Sequence, residues 1–280
     1  MQDFKGKAVW AKAVLFAVMA MSASATMAQG EAVPADGPED GGLSVSLGLG
    51  VSVMPEYAGS EDYKAAALPV VSASWGPFFA DPLEGIGVRH MMESGTEVSL
   101  KMGQDFGRKE KDHSLFPGSD RLKGMGEIRS AVTASLELKQ HLNDWLAVTG
   151  DYTTRLNRRD EGGDQYSFGV EVMPFPLLGV KSERSMLTLS LNAHGADRDF
   201  NQAYFGVTDA QSLRSGYRAH AMKSGIHAAS LDVKWNYLFS PRWSMLLGAE
   251  AITYSSDVKD SPIVQSGTNY TATAAVMYTF

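Results

Sequence analysis

Cysteine is absent from this sequence, which removes disulfide scaffolds, thiolate zinc sites, iron–sulfur clusters, cysteine nucleophiles and a lipidated N-terminal cysteine. Cationic charge is scarce. The 25 Lys and Arg stand against 32 Asp and Glu, a formal net charge of −7, whereas phosphate neutralisation needs clustered cations, so nucleic acid is excluded as a partner. No apolar run reaches the about 20 residues that a membrane-crossing helix requires. The six His show no metal-ligand spacing, and no metal or other cofactor is expected. What remains is a chain of 280 residues with 44% hydrophobic content, 28 Gly and 22 Phe plus Tyr. Its mean hydropathy of −0.15 looks like that of a soluble protein, an average that conceals the pattern beneath it.

The N-terminus has the layout of a secretory signal. Lys5, Lys7 and Lys12 precede an apolar run from Ala13 to Met21, then small residues ending Thr26-Met27-Ala28. Residues 1–28 are therefore expected to be a signal peptide cleaved after Ala28, with Ala25 as the alternative. The remaining 252 residues carry 22 basic and 31 acidic side chains, net −9. Residues 29–42, QGEAVPADGPEDGG, are small, acidic and too polar to order themselves, and read as a flexible segment.

From Leu43 onward period two replaces period 3.6. Val45, Leu47, Leu49, Val51 and Val53 alternate with Ser44, Ser46, Gly48, Gly50 and Ser52. Leu231, Val233, Trp235, Tyr237 and Phe239 alternate with Ser230, Asp232, Lys234 and Asn236. Tyr270 to Phe280 behaves likewise, and similar alternation runs through 97–106, 133–139, 145–156, 166–173, 186–192 and 243–254. Each run has about the ten residues that a tilted strand needs to cross a bilayer. Tight turns at 93–95, 142–144 and 240–242 alternate with long polar connections at 109–124, 157–164, 198–224 and 257–267. That layout predicts an all-β transmembrane antiparallel barrel over 43–280, with short periplasmic turns and long outer loops, in the outer membrane. A soluble β-sandwich also alternates, but these runs are polar on one face and carry aromatics near their ends, as interfacial girdles require. The final Tyr278 and Phe280 form the terminal aromatic signal read by the outer-membrane assembly machinery.

Strand number must be even when both termini lie in the periplasm. Nine strands start near 44, 95, 127, 144, 164, 184, 226, 242 and 268. Residues 64–74, 77–81 and 85–91 supply three more, giving about twelve, with ten as the alternative.

On this register Glu97, Lys101, Asp105, Arg129, Glu137, Lys139, Asp151, Arg155, Glu171, Asp232, Lys234 and Glu250 face the lumen. Their mixed signs suit a paired network tying the wall together, because charges withdrawn from bulk water need partners. A selective pore shows one dominant sign at its constriction. His194, Ser230 and Asp232 project inward and make a Ser/His/Asp set conceivable, though polar residues fill any lumen by default. Asp197-Arg198-Asp199 and Asp257 to Asp260 read as solvated loop tips. The run Gly107-Arg108-Lys109-Glu110-Lys111 reads as a headgroup boundary facing lipid and lipopolysaccharide.

Several segments together resemble the MipA/OmpV family of Gram-negative outer-membrane proteins. Pro55-Glu56-Tyr57-Ala58-Gly59-Ser60, Leu68-Pro69, Phe78-Phe79, Gly85-Ile86-Gly87, Asp105-Phe106-Gly107-Arg108 and Leu122-Lys123-Gly124-Met125-Gly126 carry the likeness in the first half. Tyr204-Phe205-Gly206-Val207, Gln211-Ser212, Ser215-Gly216-Tyr217, Ser261-Pro262-Ile263-Val264 and Tyr278-Thr279-Phe280 carry it in the second. The resemblance implies a non-enzymatic barrel with no catalytic residues to carry over. It further implies a scaffold for murein-remodelling enzymes of the cell envelope, linking a lytic transglycosylase and a murein synthase to the outer membrane. Other members are described as porin-like or as adhesins, so a narrow channel or adhesin is the alternative, and a hydrolase at the rim comes last. The matching loop segments are expected on the outside, able to fold inward as a plug.

Overall fold

A computed structural model describes residues 42–82, 84–114, 116–157 and 162–280. The expected signal peptide, its cleavage after Ala28 and the acidic segment up to Gly41 lie outside the described residues.

Twelve strands form one closed antiparallel barrel: β1 (Leu43–Pro55), β2 (Tyr63–Trp75), β3 (Phe78–Asp81), β4 (Gly85–Met91), β5 (Thr96–Asp105), β6 (Ala131–Asn143), β7 (Leu146–Arg155), β8 (Gln165–Val172), β9 (Ser185–Ala196), β10 (Gly225–Leu238), β11 (Trp243–Tyr254) and β12 (Thr268–Thr279). Each strand pairs with its sequence neighbours, and β12 closes on β1 from Ser46↔Thr279 to Val53↔Ala272. Twelve is thus the strand number, not ten. Among the described residues, four short α-helices lie in the connections, α1 (Pro174–Leu177), α2 (Arg198–Phe205), α3 (Asp209–Ser215) and α4 (Ser256–Lys259), besides a 3-10 turn at Asp120–Leu122. Among the described residues no helix is long and apolar enough to cross a membrane. Crossing falls to the strands, whose ladders pair backbone groups without water except along β2 before Ala73, where β3 does not reach.

Alternation explains which side chain goes where. On β1 the outward Leu47, Leu49, Val51 and Val53 are exposed, while Ser46 and Ser52 are buried within. Across the seam, Ser46 Oγ lies 2.8 Å from Thr279 Oγ1 and Ser52 Oγ 2.9 Å from Thr273 Oγ1. Aromatics gather outside at the short-turn end, with Trp243 5.1 Å from Tyr278 and Tyr278 5.0 Å from Phe280 between ring centroids. The Phe280 N–H bonds the Val45 carbonyl at 3.0 Å, tying the chain's last residue to its first strand. Exposed Tyr63, Tyr152 and Tyr270 mark the other end of the band.

Two departures from the sequence expectation stand out. β6 begins at Ala131 rather than near 127, because Ile128 bridges to Arg108 within the loop; Arg129 is consequently exposed and is not a lumen residue. A connection at the periplasmic end, 173–184, is long and carries α1, where Pro174 occupies the first turn. Phe175 folds back outside the barrel beside Leu187, Val233, Trp235, Leu247 and Ala249, while Leu177, Leu178 and Val180 stay exposed. As the sequence placed them, β3 and β4 are short, four and seven residues long, so β2 pairs with β3 over just Ala73 to Trp75.

Candidate functional site

The outer end is where the chain builds something beyond a wall. α2 starts at Asp197, whose carboxylate accepts the Phe200 N–H at 2.8 Å and, through its other oxygen, the Asp164 N–H at 2.9 Å. This cap turns the helix inward. Phe200 and Phe205 bury themselves against Ala196, Ala228, Ile252 and Tyr254, the inward side chains of β9, β10 and β11. Loop 197–224 therefore enters the barrel mouth as a plug. Tyr204, stacked on Phe200 at 4.4 Å, reaches to the opposite wall, where its hydroxyl lies 2.7 and 2.8 Å from the two carboxylate oxygens of Asp105. Burial, reinforced by that carboxylate, holds the Tyr204 hydroxyl well above the usual tyrosine range, so it stays a donor. Asp105 also faces Arg155 at 3.5 Å, and Arg108 Nη1 donates to the Tyr204 carbonyl at 2.7 Å.

Behind α2 the chain turns at Gly206 and enters α3 through a capping box: Thr208 Oγ1 accepts the Gln211 N–H at 3.2 Å, and Gln211 Oε1 accepts the Thr208 N–H at 2.8 Å. The other end of the Gln211 amide donates to the Met125 carbonyl at 2.6 Å, docking α3 on loop 106–130. Ser212 closes the helix by accepting the Gly216 N–H at 2.9 Å, Ser215 Oγ bonds the Gln211 carbonyl at 2.7 Å, and the Tyr217 hydroxyl donates to the Arg121 carbonyl at 2.9 Å.

A second small core joins four loops: Tyr57, Leu122, Met125, Val207 and Ile263 are all buried together. The Tyr57 hydroxyl donates to the Ile263 carbonyl at 2.9 Å, and burial pushes it up to about 12. Gly59 holds φ 90°, and a Cβ there would lie 2.9 Å from a Val264 methyl, so this position accepts only glycine without strain. Asn269 clamps the turn, its Oδ1 accepting the Gly59 N–H at 2.7 Å and its Nδ2 donating to the Ser60 carbonyl at 2.7 Å. Ser261 Oγ bonds the Phe205 carbonyl at 2.5 Å, joining the turn with Pro262 to the end of α2.

The positions picked out in the sequence thus divide into two groups. Tyr57, Gly59, Ser60, Tyr204, Phe205, Gly206, Gln211, Ser212, Ser215, Gly216, Tyr217, Ser261 and Pro262, with Pro55 at the rim of β1, converge on this cap from loops 56–62, 197–224 and 255–267. Tyr278 and Phe280 stand apart in the aromatic band at the opposite end. Sequence reasoning missed Asp105, Met125 and Asn269 as cap partners. Only the hydrophobic residue flanked by glycines at 124–126 hinted at such a contact.

Below the cap the lumen is laced with ion pairs: Lys101 with Glu137, Lys139 with Glu171 at 2.6 Å, and Arg89 with Glu84 at 2.7 Å and Glu97 at 3.1 Å. Lys101–Glu137 and Arg89–Glu97 pair across neighbouring strands, and Lys139–Glu171 reaches over β7. The Ser/His/Asp set comes together in an order that does not suit nucleophilic attack. Ser230 Oγ donates to Asp232 Oδ2 at 2.8 Å, so His194 Nε2, 2.9 Å away, must itself donate to Ser230. Asn192 Nδ2 completes the chain at 2.9 Å from Asp232. An imidazole donating to the serine cannot accept the serine's proton, and the carboxylate orients serine rather than histidine. Among the described residues no group of three or more His, Asp or Glu is arranged to hold a metal.

Comparison with known proteins gives consistent matches. The family model described as MltA-interacting protein MipA matches residues 47–280. Outer membrane protein OmpV of Vibrio cholerae serotype O1 is 27% identical over 162 residues, covering 58% of this chain and 59% of that protein. Outer membrane protein Omp26La of Vibrio anguillarum is 33% identical over 82 residues, 29% of this chain and 31% of its own. The matched stretches therefore span about a third to three fifths of these relatives. Among solved structures, the KdgM porin aligns with TM-score 0.39 at 8% identity over 84% of this chain and 99% of its own, and the NanC porin with TM-score 0.40 at 9% identity over 85% and 99%.

Proposed function

From the premise that this chain belongs to the MltA-interacting protein MipA family of outer-membrane barrels, we propose that it acts by binding, as a membrane-anchored scaffold for murein-remodelling enzymes, with no catalysis of its own. The observation that carries this reading is the closed outer mouth. With α2 across the lumen, held by Tyr204 to Asp105 and by two apolar clusters, the barrel serves as an anchor more readily than as a conduit. The family description names an interaction with MltA, by the resemblance a lytic transglycosylase, and such a partner works in the periplasm. The longest connection on that side is 173–184, and its exposed Leu177, Leu178 and Val180, flanked by Lys181, Glu183 and Arg184, suit a partner that buries apolar side chains within a charged rim. Loop 173–184 is thus the docking element in this reading, with a murein synthase joining through the transglycosylase.

Affinity capture from gently solubilised membranes tests it. The wild-type barrel is expected to recover a lytic transglycosylase, and Leu177→Asp combined with Leu178→Asp to lose it while the barrel stays folded. Capture that never recovers a murein enzyme removes the reading. Planar-bilayer recording addresses the channel alternative: the plugged mouth predicts no discrete conductance, and well-resolved steps from the wild-type protein would favour transport.

A further inference from the structure

The barrel wall is incomplete on one side, and the gap leads to an apolar track ending at an unpartnered amide. Glu56 N–H bonds the Asp62 carbonyl, and bonded pairs alternate along an antiparallel ladder, so the even-numbered residues of β2 bond β1 and the odd-numbered ones face β3. β3 meets this edge only from Ala73 onward. Among the described residues, no backbone bond reaches the edge between Tyr63 and Val71. Pro69, which has no N–H to satisfy, sits in the middle of it. The stretch lies within the membrane band, since Tyr63 and Trp75 are the exposed aromatics at its two limits. Inside a bilayer, an unpaired edge is tolerated only where it borders a cavity rather than lipid.

What lies behind the edge differs from the rest of the lumen. In direct register around the inner wall run Leu68, Gly50, Ala275 and Leu246, one residue from each of β2, β1, β12 and β11. This row has no polar side chain, whereas the adjacent inward row on the same strands carries Ser52, Thr273 and Lys234. Gly50 contributes none at all, and a Cβ there would lie 3.2 Å from the Ala275 Cβ and 3.6 Å from a Val70 methyl, so glycine keeps the row from closing at that point. The next residue in the row is Asn236 on β10, 3% exposed, and neither its Nδ2 nor its Oδ1 has a hydrogen-bond partner. A buried primary amide with both functions idle is costly unless something supplies a donor and an acceptor together. From the port to Asn236 the row covers four strand spacings, about 19 Å of wall.

We infer that the gap between β2 and β5 is a lateral port for a single acyl chain carrying its own polar head, whose tail lies along Leu68, Gly50, Ala275 and Leu246 and whose head pairs with Asn236. A free fatty acid and a monoacyl lipid share this chemistry. The port opens to the membrane, so the plugged outer mouth does not block it, and the inference stands independently of any murein partner.

The test uses the full barrel refolded in amphipol and titrated with cis-parinaric acid, with heat-dependent gel migration as the check on folding. Saturable emission enhancement is expected from the folded protein and not from the heat-unfolded one. Asn236→Leu keeps the volume and removes the amide; it should weaken binding about tenfold while raising thermal stability, because an idle buried amide is gone. Leu68→Gln, at a partly exposed position that tolerates polarity, should weaken it similarly. Displacement by palmitic acid assigns the site to free fatty acids, and displacement only by a lysophospholipid assigns it to a monoacyl lipid. Absence of enhancement with folded wild type, or equal affinity in folded Asn236→Leu and Leu68→Gln, overturns the proposal.

Discussion

The two ends of this barrel are built on opposite principles. At the periplasmic end the chain reverses through local bonds, such as Gly95 N–H to Met92 carbonyl at 3.0 Å, Trp145 N–H to Asn143 Oδ1 at 2.9 Å and Trp243 N–H to Ser240 Oγ at 3.1 Å. At the outer end the bonds join residues about a hundred to two hundred positions apart: Tyr204 to Asp105, Tyr217 to Arg121, Tyr57 to Ile263 and Gly59 to Asn269. Apart from connection 173–184, the first end merely returns the chain. The second is tertiary structure with its own apolar clusters, and it should show the sensitivity to substitution of a protein core.

That contrast can be broken or sharpened by substitution, the largest effect expected at the heart of the cap. Phe200→Ala removes a ring buried in the apolar cluster at the barrel mouth and should cost the plug about 3 to 5 kcal/mol, comparable to other buried aromatic truncations. Limited proteolysis of the intact barrel should then cut within loop 197–224, and the same loop should resist cleavage in wild type. Asn269→Ala takes away the partner of Gly59, Ser60 and the Tyr254 hydroxyl, and about 2 kcal/mol is expected from the groups left unpaired, read as a lower melting temperature. A smaller effect follows from pH. The Tyr57 hydroxyl is raised from 10.0 to about 12 by burial, so the neutral form's contribution is complete below pH 10 and is lost as pH rises through about 12. Cap resistance to proteolysis should fall between these values, and Tyr57→Phe should flatten that dependence. The least effect is expected at the other end: Ser240→Ala should shift stability by no more than about 0.5 kcal/mol. A large loss there would show that the periplasmic turns are as structured as the cap.

Most of the wall was legible because two solvents write it. Lipid outside and a polar lumen inside force alternation, and strands such as β10 and β12 start within a residue of where that alternation places them. The lumen register followed, down to Lys101, Glu137, Lys139 and Glu171, because one assigned face determines every second residue. Legibility failed where contrast failed. Across β2 the inward Ala66, Leu68 and Val70 are as apolar as the outward Ala65, Ala67 and Val71, so nothing announced a different environment behind that strand. The periplasmic helix α1 was missed for a related reason: a four-residue helix inside Pro174-Phe175-Pro176-Leu177 has no room to display a period. Within the cap, loop locations were readable but contacts were not. Nothing in the local sequence around Gly59 points to Asn269, which lies beside it only because β1 and β12 are neighbours.

The β1–β12 seam also gives the barrel an order of completion. The contacts that close it join the ends of the described chain, so this closure carries the greatest loop-entropy cost and belongs late in folding. Loops 56–62 and 255–267 flank that seam, and Tyr57–Ile263 and Gly59–Asn269 span it. The outer cap can therefore lock only after the final strand has found the first. A locked cap is in effect a certificate of assembly, displayed on the cell surface by barrels whose last strand is in register.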